Sequence, residues 1–152
     1  MIKTALKGKR VILEPLEDLE YFLNLADLDN KYQYPREEIK AMIEKEGQEF
    51  WTIMIDGTRR GVVGYFKFND VYALEALKDH SQPLTGITVS IEVGNLVLDY
   101  MFQFTNKVRT CARVSEKAIQ ILCKKLGFKE INRINNLVIY EKEAETCQYL
   151  QR

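Results

Sequence analysis

One histidine, three cysteines and no surplus of charge are the shortages of this sequence, and each removes a class of protein. His80 stands alone. Cys111, Cys123 and Cys147 are odd in number, widely spaced and without a Cys-x-x-Cys pair, so a structural metal site lacks its ligands. Lysine plus arginine and aspartate plus glutamate both number 22, so no global field draws the chain to nucleic acid or to an anionic membrane. No basic stripe interleaved with aromatics appears either, which again gives no nucleic-acid partner. No apolar run approaches the roughly 20 residues of a membrane span. Residues 1–7 lack the apolar core of a signal peptide, and with the scattered thiols this points to a cytoplasmic protein with reduced cysteines.

What is present is an ordinary globular composition, 46% hydrophobic and 29% charged, over 152 residues. That length is the usual size of one domain, and no repeat, linker or low-complexity segment divides it, so 1–152 reads as a single domain. Residues 10–16 form a short β-branched strand ended by Pro15. Asp18 then caps a helix carrying Leu19, Phe22, Leu23 and Leu25 at helical spacing. After the polar break at 29–31, Pro35 starts a second amphipathic helix that Gly47 stops. Residues 50–55 and 61–68 read as strands joined by the Asp56-Gly57 hairpin signal, and Asn69-Asp70 offers a further turn. Residues 73–78 are strong helix formers, yet too few for an isolated helix, and their place after a turn allows a third hairpin strand. Residues 87–93 alternate apolar and polar as a strand does, whereas 96–104 are apolar nearly all round, as in a buried helix. A strand at 108–114, a helix from Glu116 to Leu126 capped by Ser115, and one or two strands within 132–140 follow. The fold class is mixed α/β.

Particular residues give this order a likeness. Leu98-Asp99-Tyr100-Met101-Phe102, Lys107-Val108 and the helix stop Lys125-Leu126-Gly127-Phe128 resemble the carboxy-terminal half of the GNAT superfamily of N-acetyltransferases. Arg10-Val11-Ile12-Leu13-Glu14-Pro15-Leu16 is similar to the opening strand of that superfamily's ribosomal-protein-acetylating branch, with Glu14 where arginine is usual. The resemblance implies the acyl-CoA N-acyltransferase fold: a central, mostly antiparallel sheet flanked by about four helices. It also implies acetyl-CoA as co-substrate, with its pyrophosphate at a glycine-bearing helix start, where free N–H groups and close backbone approach suit an anion.

Counting back without a gap from Phe102 puts Thr85, Gly86, Ile87, Thr88, Val89 and Ser90 on the phosphate loop. Thr85 replaces the usual cation there, and Thr88 and Ser90 replace smaller residues. Glu92 falls on a glutamate common in the branch's helix, and Glu75 on the glutamate of the preceding strand. This register makes 87–93 helical. The alternation instead starts the helix near Asn95, with Val93-Gly94-Asn95 as the loop. Gly94 argues for the second, because a mid-helix glycine costs about 1 kcal/mol.

Acetyl transfer from a thioester to an amine needs a base, donors for the carbonyl oxygen and an acid for the departing sulfur. By position Glu75 is the candidate base, or an exposed strand carboxylate. Cys123 stands where many relatives carry a tyrosine, as the candidate acid or a buried core thiol. Glu116 stands where relatives carry a cofactor-contacting asparagine. Tyr100 reads as packing, Trp51 and Phe50 as core, and His80 as a solvated loop residue or an assisting group before the loop. Arg59-Arg60 read as a solvated cluster beside a hairpin, and Lys124, Lys125 and Lys129 as partners of a helix C-terminus or of the cofactor's adenosine 3′-phosphate. The implied function is N-acetylation of a primary amine: a protein N-terminus, an aminosugar or a small amine. The alternative is a catalytically degenerate domain used for binding or assembly. Phe66 and Phe68 on one sheet face suggest a homodimer.

Overall fold

The computed structural model describes residues 4–28, 35–45, 47–84 and 86–145; the break at 29–31, Thr85 and Cys147 lie outside them. One eight-stranded sheet organises them. In chain order the elements are β1 (Leu6–Lys7), β2 (Val11–Pro15), α1 (Leu19–Leu28), α2 (Arg36–Ile43), β3 (Glu49–Ile55), β4 (Thr58–Phe68) and β5 (Val71–Lys78). There follow α3 (Ile87–Met101), β6 (Lys107–Arg113), α4 (Lys117–Lys125), β7 (Lys129–Ile134) and β8 (Leu137–Glu143). The sheet runs β1-β2-β3-β4-β5-β6-β8-β7, antiparallel at every seam except β5–β6. This is the mixed, mostly antiparallel sheet expected from the sequence.

Local turn chemistry sets the β3-β4-β5 meander. Asp56 and Gly57 have φ of 50° and 77°, and Asn69 and Asp70 have 48° and 65°. Two successive positive φ angles match the right-handed twist of the strands they join. Residues 73–78 are therefore strand: tertiary pairing with β4 over eight register positions overrides their helix propensity.

The sheet faces carry separate cores. Phe50, Val62 and Leu77 pack with Phe22, Leu23 and Leu25 of α1 and with Ile39 of α2. On the opposite face Trp51, Ile53, Val63 and Tyr65 pack with Val89, Val93, Val97 and Met101 of α3, and with Cys123 and Leu126 near the end of α4. The α3 stripe recurs at helical spacing, so 87–93 is helix. The residues that create its strand-like alternation, Ile87 and Ile91, lie outside the buried stripe, and Ile87 is 41% exposed. Gly94 has a packing reason: a β-carbon there would sit 2.6 Å from Leu126 Cδ1, so α4 closes on α3 only over a glycine. Glu92 anchors the first hairpin, its Oε2 accepting the N–H groups of Arg10 (2.9 Å) and Val11 (2.7 Å).

The stop of α4 is a Schellman motif. Phe128 N–H donates to the Cys123 carbonyl and Gly127 N–H to that of Lys124, both at 3.0 Å, with Gly127 at φ 93°. Lys142 Nζ donates to the Leu126 carbonyl at 2.8 Å. At the other end of α4 the N-cap residue is Glu116 rather than Ser115, and the Glu116 side chain makes no cap bond. No described helix is long and apolar enough to cross a membrane.

Candidate functional site: the parting of two strands

The parallel strands β5 and β6 pair only at Tyr72↔Val108 and Ala73↔Arg109. Beyond this point they separate. Thr110 Oγ1 reaches across to donate to the Leu74 carbonyl at 3.0 Å, a side-chain tie in place of a ladder bond. Ala76, two residues on, directs its N–H into the gap as Leu74 directs its carbonyl, and that N–H donates to Glu75 Oε1 at 3.1 Å. A cavity of about 310 Å³ fills the parting, floored by Ile53 and Val63 and walled by Ser90 and Gly94 of α3 and Leu122 and Cys123 of α4. A second hollow of about 550 Å³ adjoins it across the start of α3, sharing Ala76, Lys78, Ser90 and Leu122.

The first turn of α3 is open. Gly86 is its N-cap at φ 87°, without a side-chain cap, so the N–H groups of Ile87, Thr88 and Val89 have no helical acceptor. Nothing lies within 4 Å of a β-carbon at Gly86, so it is the backbone angle that favours glycine. Gly86, Ile87 and Ser90 line the second hollow. Thr88 is exposed beside it, and Val89 is buried in the core, leaving only its backbone toward the helix start. Thr85 lies outside the described residues.

The remaining sequence candidates meet in the first cavity: Glu75, Glu116 and Cys123 all line it. Glu75 stands opposite Gly64 in the register, on the sheet face turned to α1, and reaches the cavity because β5 has no strand partner there. Glu116 is turned onto its own loop. Its Oε1 accepts the Arg113 N–H at 3.0 Å, its N–H donates to the Arg113 carbonyl at 2.9 Å, and Gln120 Nε2 seals the carbonyls of Arg113 and Val114. Burial, and then the neighbouring Cys111, push the Cys123 thiol up to about 11, so it holds its proton at neutral pH. Cys111 and His80 line the cavity as well. Tyr100 belongs to an aromatic cluster at the far end of α3, with ring centroids 5.2 Å from Trp51 and 5.8 Å from Phe104.

Sequence reasoning missed two features here. Thr110 carries no motif. The Arg59-Arg60 pair is not one solvated cluster, because its members face opposite sides of the sheet. Arg59 stacks over Tyr21 at 3.8 Å, whereas Arg60 donates to the Pro83 carbonyl at 3.3 Å beside the second hollow. Among the described residues no group of three His, Cys, Asp or Glu side chains is placed to hold a metal ion.

No family profile and no curated protein sequence matches the chain. Solved structures do. A mutant form of the spermidine/spermine N-acetyltransferase SpeG from Vibrio cholerae is 17% identical with a TM-score of 0.73, covering 95% of this chain and 98% of that one. An acetyltransferase from Agrobacterium tumefaciens is 14% identical with a TM-score of 0.75, covering 95% and 96%. A Bordetella pertussis protein grouped with the GNAT-family acetyltransferases is 13% identical with a TM-score of 0.72, covering 92% and 99%. At these identities the likeness is one of architecture, and it is end to end: the chain folds as the GNAT acetyltransferases do.

Proposed function

We propose that the protein is an acetyl-CoA-dependent N-acetyltransferase that acetylates a primary amine by direct attack. The observation that carries this reading is the parting of β5 from β6 beside the uncapped start of α3. A thioester carrier laid in the parting meets an unpaired strand edge, and its phosphates meet free N–H groups at the positive end of a helix. Ile87 and Ile121, 41% and 50% exposed, give the carrier's arm apolar surface in the second hollow.

Glu75 takes the ammonium proton from the α1 side of the sheet. As its carboxylate turns to the amine it releases the Ala76 N–H, which then serves the thioester carbonyl oxygen. The amine nitrogen bonds to the carbonyl carbon, the carbon–sulfur bond breaks, Cys123 supplies a proton to the leaving sulfur, and the second proton shed by the attacking nitrogen restores the Cys123 thiol. From a thiol at about 11 to one in the ordinary range that transfer is uphill by roughly 3 kcal/mol, so Cys123 contributes less than Glu75. The acceptor is a protein N-terminus, an aminosugar or a small amine.

A titration with acetyl-CoA tests the reading. At a hundredfold excess over the dissociation constant the midpoint of thermal unfolding rises by roughly 5–10 °C. No shift at millimolar acetyl-CoA rejects it. Once binding is seen, Glu75→Gln slows turnover by about a hundredfold or more without weakening acetyl-CoA. An unchanged rate rejects Glu75 as base. One observation favours the second reading, a degenerate binding domain: Cys123, the candidate acid, is a thiol held at about 11. Binding of acetyl-CoA with no turnover across proteins, aminosugars and polyamines would favour that reading.

A further inference from the structure

The two arginines of the β3–β4 hairpin differ because β4 carries one extra residue. Thr52 pairs with Val62 and Met54 with Arg59, so Ile53 alone faces both Arg60 and Gly61. A bulge of this kind re-aims the side chain at the extra position. Gly61 makes it possible: its φ is 142°, and a β-carbon there would lie 2.5 Å from the Leu77 carbonyl oxygen. Without the bulge Arg60 would point with Val62 toward α1. With it, Arg59 takes that face and pairs with Asp18 at 2.9 Å, while Arg60 is delivered to the opposite face, into the hollow at the start of α3.

Arg60 is half-buried there and incompletely used. Its Nη1 donates to the Pro83 carbonyl at 3.3 Å, and its Nε is buried without an acceptor among the described residues. A buried guanidinium N–H without an acceptor forfeits its hydration, a loss that an anion in the hollow would recover. The surroundings have the same sign. Lys78, the register partner of Gly61, lines the hollow, and the positive end of α3 opens into it. The one carboxylate among the described residues along the hollow, Asp79, is already engaged, accepting from Tyr21 Oη at 2.7 Å and from the N–H and Oγ of Ser81 at 3.0 and 2.5 Å.

We propose that Arg60 is a phosphate ligand of this chain, taking an oxygen of the thioester carrier's pyrophosphate and supplying from a strand bulge the cation that position 85 lacks. The assignment rests on the acetyl-CoA reading above. It explains why a phosphate loop of Thr85, Gly86 and uncharged neighbours suffices: the charge comes from β4 and the loop contributes backbone donors.

Calorimetric titration of wild type, Arg60→Ala and Arg60→Lys with coenzyme A, and with pantetheine, which has no phosphate, tests it at several salt concentrations. Arg60→Ala is expected to weaken coenzyme A by about 10- to 100-fold and to flatten the salt dependence of its affinity. Arg60→Lys keeps part of the affinity and the salt dependence, and pantetheine binds all three proteins equally. Coenzyme A bound by Arg60→Ala as tightly as by wild type overturns the assignment while leaving the acetyl-CoA reading intact. An equal loss for pantetheine, or a loss with unchanged salt dependence, also overturns it, because Arg60 would then only shape the groove. Wild type that ignores millimolar coenzyme A removes the reading and the assignment together. Arg60→Lys retains the aliphatic stem, so a collapse of Arg60→Ala on folding still leaves the charge geometry open to measurement.

Discussion

The two ends of α3 rest on the same face of the same sheet and are built on opposite terms. At the C-terminal end Trp51, Tyr65, Tyr72, Tyr100 and Phe104 pack ring against ring, with centroids 5.2–6.3 Å apart. Two of their polar atoms are satisfied internally: Tyr65 Oη donates to the buried carboxylate of Glu49, and Trp51 Nε1 donates to the Thr4 carbonyl at 2.8 Å. At the N-terminal end, among the described residues, no phenylalanine, tyrosine or tryptophan lines the hollow, the helix start has no side-chain cap, and a buried guanidinium N–H lacks an acceptor. β5 and β6 follow the same division, paired beside Tyr72 and parted beside Ala76. The closed end fixes the helix against the sheet. The open end leaves donors for something the chain does not itself provide.

The comparison predicts that the closed end carries the stability. Trp51→Ala removes a side chain 1% exposed and its bond to Thr4, and should cost about 3–5 kcal/mol in urea unfolding. A loss under 1 kcal/mol would mean that the cluster is not what holds α3. Next in size is a pH effect at the open end. Folding raises the Cys123 thiol from about 9 to about 11, so the folded state binds that proton more tightly than the unfolded state does. Stability from this group is therefore complete below pH 9 and is lost as pH rises through 11, by about 2–3 kcal/mol. Cys123→Ala should flatten the stability profile between pH 9 and 10. Above that Tyr100, pushed up to about 12 by burial and by Glu49, continues the fall. An identical slope in wild type and variant would show that Cys123 does not titrate in a buried place.

What could be read from the sequence divides along the same line. The hairpins were legible because Asp56-Gly57 and Asn69-Asp70 act through their own backbone angles. The stop of α4 was legible because Gly127 and Phe128 complete a motif within six residues. Residues 87–93 were ambiguous for a physical reason: α3 buries one side and turns Ile87 to the hollow, and the two apolar sets together imitate a period of two. Gly94 counted against a helix only until its partner Leu126 was in place. The direction of Arg60 was not legible at all. It depends on how β4 is registered against β3, and a bulge is a property of the pair.

Tyr65→Phe sharpens the closed end at smaller cost. It leaves Glu49 with one phenol fewer in a buried place, and about 2 kcal/mol of stability should go. Burial and the Glu49 carboxylate both raise the Tyr65 phenol, so at neutral pH the hydroxyl is a donor and its removal is felt in full.

The smallest expected effect falls on the boundary itself. Thr110 makes the last tie before the strands part, and Thr110→Val keeps its shape while deleting the hydroxyl that serves the Leu74 carbonyl. The half-buried carbonyl can be reached by water, so the global cost should be about 1 kcal/mol. Amide hydrogen exchange is the more telling readout, because it resolves where the sheet opens. If the parting begins at Leu74, protection of the Ala76 amide should fall in Thr110→Val while Ala73 and Arg109, in the paired part of the seam, keep theirs. Equal loss along the whole of β5 would make the seam one cooperative unit, and the closed and open ends would no longer be separable. Loss confined to Ala76 and beyond would place the hinge of the cavity at a single hydroxyl, between the end of the seam that holds the helix and the end that is free to take a ligand.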